Sequence, residues 1–109
     1  MNIVYIQILN SDLDGKKYKA IFYDKNRNKV KTTHFGSDVG ITYNMHKDDD
    51  IKQAWIARHK VRENWDNYTS SGSLAKNLLW NKTSLSASFN DYLKKFKLKK
   101  YYLILDEKQ

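Results

Sequence analysis

Apolar and polar positions change period twice along the chain. Residues 3–9 (IVYIQIL) are β-branched and apolar on both faces of an alternating pattern, as a strand flanked by neighbours would be. A turn cluster at 10–15 follows. Residues 17–23 and 29–35 then alternate lysines with Tyr18, Ile21, Tyr23 and Val30. Between these runs, Asp24-Lys25-Asn26-Arg27-Asn28 has turn chemistry, so the pair reads as a β-hairpin. Residues 36–46 carry Gly36 and Gly40 without a period and read as loop.

From Asp48-Asp49-Asp50 onward the period is helical. An acidic first turn suits the positive end of a helix dipole, and the pattern predicts a helix over 49–64. At about 100° per residue, Ile51, Ala54, Trp55, Val61 and Trp65 share a face with Arg58 and Arg62. Two guanidinium groups on an aromatic face are expected to be partly buried, held by carboxylates, carbonyls or indole faces. Ser73 is placed to cap a short helix over 74–80. Thr83 or Ser84 caps a third, in which Leu85, Phe89, Tyr92, Leu93 and Phe96 form one stripe. A lysine run at 94–100 leads to a last strand at 101–105 (YYLIL). The order predicts one α+β domain over 1–109. Its small antiparallel sheet takes the N-terminal strand, the hairpin and the C-terminal strand, with about three helices packed on one side. Trp55, Trp65, Trp80, Leu78, Phe89 and Phe96 are its expected core.

Composition narrows the function. The chain has 109 residues, 40% hydrophobic and 14% aromatic, enough to bury a core without staples. The absence of cysteine excludes a disulfide framework, a thiolate zinc site and a thiol nucleophile. Residues 3–9 are too short to span a membrane and lack the basic flank of a signal peptide, so neither a membrane partner nor secretion is expected.

Net charge changes the picture most. Seventeen Lys and three Arg against 12 acidic residues give +8. Lysine is a point charge that suits phosphates, whereas base reading favours bidentate arginine, so the excess points to nucleic-acid backbone binding. The candidates are Lys17, Lys19, Lys29 and Lys31 on the hairpin, and Lys94, Lys95, Lys97, Lys99 and Lys100 near the end. Arg58 and Arg62 rank second.

Other chemistry is weaker. His34, His46 and His59 lack short ligand spacing, so no metal and no cofactor is expected. Gly36 to Gly40 lacks the lysine of a phosphate loop, and Ser70 to Ser73 is a turn and cap, not a nucleophile elbow. Tyr43, His46, Arg58, His59, Arg62 and Glu63 contain a nucleophile, bases, charge stabilisers and one carboxylate. They make a metal-dependent nuclease or nucleic-acid processing factor the alternative, built on Tyr43, His46, Arg58, His59 and Glu63. Phosphoryl chemistry normally wants several convergent carboxylates, so the leading reading assigns no catalytic residue. A third reading is a virion or host-interaction module whose charge confers only solubility.

The motif order carries a resemblance. KYKAIF from Lys17, THFG from Thr33, YNMHKD from Tyr43, ARHKVRENW from Ala57 and GSLAKNLLWNK from Gly72 span about residues 17–96. Together they resemble a family of small uncharacterised proteins of giant nucleocytoplasmic large DNA viruses and some algae. Members of that family often carry Asp-Tyr-Thr where this chain has Thr42-Tyr43-Asn44, so a role built on that Asp is not carried over. The flanking strands at 3–9 and 101–105 lie outside the shared block. The resemblance implies a basic protein that packages or organises viral DNA, in the virion and in the host nucleus or a cytoplasmic virus factory. The expected partner is nucleic acid, double-stranded DNA first, with a homodimer among the possibilities.

Overall fold

A computed structural model describes residues 2–38, 42–61 and 63–101. The three alternating runs become strands where their pattern predicts: β1 is Tyr5–Asn10, β2 Lys16–Tyr23 and β3 Lys29–Ser37. Gly15, at φ +85°, closes the first turn. In the second, the Asp24 carboxylate accepts the N–H groups of Asn26 and Asn28 while Arg27 takes the left-handed conformation, as Asp-initiated turns do.

The α+β class holds, with sheet order β3-β2-β1-β4. β4 is only Lys99–Lys100, and it runs parallel to β1, which makes the sheet mixed rather than wholly antiparallel. A parallel return needs a crossover, and the helices between β3 and β4 supply it. The strand predicted at 101–105 lies outside the described residues beyond Tyr101. The pairing seen is earlier, on two lysines of the basic run.

One sheet face is the core. Ile6, Ala20, Phe22 and Phe35 are buried there against Leu74, Leu78, Leu79, Trp80 and Tyr92. The helices are α1 (Tyr43–His46), α2 (Asp49–His59), α3 (Ser71–Leu74) and α4 (Leu85–Phe96). Side chains of Asp48, Ser70 and Ser84 cap the last three by accepting first-turn N–H groups. α1 lies inside the stretch read as loop, too short to show a helical period.

α3 continues as a π-helical turn, Ala75–Leu79, which closes with the Trp80 N–H on the Ala75 carbonyl at 3.2 Å. The cap is Ser70, not Ser73. Ser73 instead donates its hydroxyl to the Trp65 carbonyl at 2.9 Å. The Asn77 amide donates to the Ser73 carbonyl, the acceptor that an α-helical Asn77 N–H would use, and the next turn widens.

α2 differs most from the predicted helix. It ends at His59 rather than at residue 64, and none of its residues is fully buried. Ile51 is 47% exposed and Val61 78%, so the aliphatic half of the predicted stripe faces water. The helix packs through one aromatic instead: Trp55 lies parallel to Trp80, ring centroids 4.9 Å apart. Past the last turn, Val61 and Trp65 no longer follow the helical angle. Of the expected core, Trp80 and Leu78 are buried, whereas Trp55, Trp65, Phe89 and Phe96 are half-buried.

Candidate nucleic-acid interface

The face opposite the core is built by cross-strand pairing. Lys29 stands opposite Tyr23, Tyr23 opposite Tyr5, and Tyr5 opposite Lys99. The four side chains form one row across all four strands, about 14 Å long at roughly 4.8 Å per strand. Both end lysines are exposed. Segments seventy residues apart in sequence thus bracket two tyrosines.

A bulge decides which hairpin lysines belong to this row. Phe22 pairs with Lys31 and Tyr23 with Lys29, so Val30 is an extra residue and the two lysines lose their common face. Lys31 turns to the helix side, where its ammonium donates to the Thr69 hydroxyl at 3.1 Å. Lys31 thereby leaves the face that Lys19 and Lys29 share.

The tyrosines form a layered cluster. Tyr101, just past β4, stacks on Tyr23 with centroids 3.9 Å apart and planes 10° apart, and meets Tyr5 edge-on at 6.4 Å. The Arg27 guanidinium lies 5.0 Å from the Tyr5 ring centre and 5.7 Å from that of Tyr101. Beneath Tyr101, Tyr23 is buried and donates its phenol to the Gln7 side-chain oxygen at 2.9 Å. Burial raises the Tyr23 phenol pKa, with the Tyr101 phenol adding to it, so Tyr23 stays a neutral donor.

Further along the same face, Lys19 lies between Leu9 and His34. It pairs with Asp12 at 3.6 Å, and His34 Nδ1 bonds the Ser11 hydroxyl at 2.8 Å. Backbone hydrogen bonding first, and then Lys19, hold the Asp12 carboxyl below its usual range. Lys19 therefore carries a local counter-charge, Asp12, which no ion pair among the described residues gives Lys29 or Lys99. Lys17 reaches the Met45 sulfur at 3.5 Å, toward α1.

The second lysine cluster divides similarly. Lys94 and Lys95 lie in the last turn of α4, where cations offset the helix dipole, and Lys97 follows in the left-handed conformation. Lys100 lies level with Ile6, and its ammonium sits 5.7 Å from the Phe89 ring centre. Only Lys99 of this cluster joins the tyrosine row. Arg58 is exposed rather than half-buried, because His59, not Arg58, stacks on Trp55 at 4.1 Å. Arg62 lies outside the described residues.

The residues of the nuclease alternative are spread over three structural roles. Tyr43 is buried and donates to Asp49 at 2.7 Å; that bond and then burial raise its pKa, which opposes formation of a phenolate nucleophile. His46 Nδ1 accepts the Asp48 N–H at 2.9 Å, and its ring lies 5.4 Å from Trp80. His59 Nδ1 bonds the Trp55 carbonyl at 2.8 Å, so it carries the proton there. The two histidines flank the paired indoles. Arg58 and His59 line a cleft of about 710 Å³ with Lys16, Trp55 and Trp80. The Glu63 carboxylate lies instead against Gly72, at the start of α3. Among the described residues, no three His, Asp or Glu side chains group closely enough to hold a metal ion.

Tyr5, Arg27 and Tyr101 are absent from the sequence candidates. Tyr5 sits inside an apolar run and Arg27 inside a turn. The only signal was Tyr5 and Gln7 standing on the alternate positions of β1, which marks a face without saying that it is open.

Fold and face define a small α+β domain with helices on one side of its sheet and a lysine-flanked aromatic surface on the other. Residues 6–59, just under half the chain, match the model of a family of unknown function (DUF5754). That stretch covers β1 from Ile6 onward, β2, β3, α1 and α2, and leaves out Tyr5, Glu63, Trp65 and the α3 turn. No curated protein and no solved structure matches the chain. Among the described residues, no helix is long and apolar enough to cross a membrane.

Proposed function

We propose that this protein is a non-enzymatic nucleic-acid-binding protein that holds phosphates on its open sheet face with little sequence preference. The observation that carries the reading is the Lys29–Tyr23–Tyr5–Lys99 row, which joins lysines from two distant segments on one surface. A net charge of +8, dominated by lysine, supplies long-range attraction to a polyanion. Release of counterions on phosphate neutralisation drives the binding. The resemblance to giant-virus proteins supports a setting in which the chain packages or organises viral DNA, in the virion or at the site of replication.

Fluorescence anisotropy with two unrelated DNA sequences, from low to physiological salt, tests the reading. Micromolar or tighter binding, equal for both sequences and falling steeply with salt, is expected. Absence of binding at low salt overturns it. Cleavage of the DNA on addition of Mg²⁺ or Mn²⁺ overturns its non-enzymatic part.

A further inference from the structure

We infer that the nucleic acid taken by the open sheet face is single-stranded, with its bases stacked on Tyr5 and Tyr101 and its phosphates held by Lys29 and Lys99. The inference rests on the nucleic-acid reading above and specifies its substrate.

The geometry points away from a duplex. Reading or clamping a groove takes an element that protrudes into it, such as a helix or a two-stranded ribbon. Here two lysines stand at the ends of the row, and its middle presents tyrosine rings with the Arg27 guanidinium over them rather than an element that protrudes. Tyrosine faces gain nothing from a duplex whose bases already stack on each other. A single strand exposes those base faces, and aromatic side chains on a sheet are a recurring platform for two or three such bases.

Local chemistry fits that occupant. Tyr5 and Tyr101 are only half-buried, and the planar Arg27 guanidinium already lies over both rings. A nucleobase is a planar group of similar thickness, and it stacks on arginine as well as on tyrosine. Tyr23 is the foundation rather than a contact, because Tyr101 covers it. Gln7, Thr32 and His34 surround the cluster on the same face and offer hydrogen bonds to base edges. Exposed Leu9 adds an apolar margin.

The test uses the full chain with a labelled oligothymidylate and a mixed-sequence duplex of equal length, by anisotropy at matched salt. The single strand is expected to bind at least about tenfold more tightly, and Tyr101→Ala to weaken it by about tenfold, the usual scale for one stacked base. Tyr101→Phe and Tyr5→Phe keep the ring and should keep the affinity, which separates stacking from loss of fold. Equal or tighter duplex binding, or single-strand affinity unchanged in Tyr101→Ala, overturns the inference and leaves phosphate binding standing. Failure to bind either nucleic acid at low salt overturns both.

Discussion

The side-chain amide of Asn77 donates to both the carbonyl and the hydroxyl of Ser73, at 2.9 and 3.1 Å, and both residues are buried. The same Ser73 hydroxyl donates to the Trp65 carbonyl, so one polar chain ties the segment before α3 to the π-helical turn. Ser73 and Asn77 of the motif block thereby have a structural role. Asn77→Ala strips a partner from buried acceptors and should cost about 1–3 kcal/mol in chemical denaturation. A midpoint unchanged from wild type would show that the amide holds nothing in place.

The indole pair separates two kinds of stability. Trp80 is buried in the core between His46 and Trp55, and Trp80→Ala should cost about 3–5 kcal/mol. Trp55 is the main aromatic anchor of a helix that has no fully buried residue. Trp55→Ala should therefore release α2 locally more than it lowers global stability. Amide hydrogen exchange checks this: protection in α2 should fall toward zero while β2 keeps its protection. Equal loss in both elements would place α2 in the same cooperative unit as the sheet.

Much of this was legible from residue types, and the failures have physical causes. β1 to β3 and α4 follow from alternation, turn chemistry and the Leu85 to Phe96 stripe, all of them local signals. The face of Lys31 does not, because the one-residue bulge at Val30 is set by pairing with β2. The end of α2 is not legible, because Val61 and Trp65 continue the helical period while the real anchor, Trp80, lies 25 residues from Trp55 along the chain. β4 carries two lysines and no strand propensity; its pairing with β1 is tertiary. Lys29 and Lys99 could be chosen on charge, but the tyrosine cluster between them exists only once β4 has docked.

Alkaline pH should unfold the protein through its buried phenols. Tyr92 donates to the Tyr68 carbonyl at 2.6 Å, and burial moves its pKa far above the ordinary value of 10.0. A group whose pKa is higher folded than unfolded binds more protons in the folded state. Its contribution is complete below about pH 10 and is lost as pH rises further, because the unfolded phenol ionises first. Tyr23 and Tyr43, also raised, act in the same direction. Tyr92→Phe should cost about 1 kcal/mol at neutral pH through the lost hydrogen bond and should flatten the decline above pH 10. Denaturation midpoints across that range measure both effects, and a decline as steep as wild type would remove Tyr92 as its source.

Two lysines that are neighbours in sequence should behave oppositely. Lys29 is exposed at one end of the tyrosine row, whereas Lys31, two residues on, faces the helices and bonds Thr69. If phosphates lie along the row, each contact adds about 0.7 to the log–log salt slope on a single strand, or about 0.9 on a duplex. Lys29→Ala should remove one such increment, and the Lys29→Ala, Lys99→Ala pair should remove two, with little change in melting temperature because both side chains are exposed. Lys31→Ala should leave the slope unchanged and lower stability instead, since it deprives the buried Thr69 of a donor. Salt titrations of the three variants, alongside their melting curves, decide it. A slope that falls equally for Lys29→Ala and Lys31→Ala would mean the bulge does not sort these lysines between faces, and that phosphates follow the hairpin edge rather than the row.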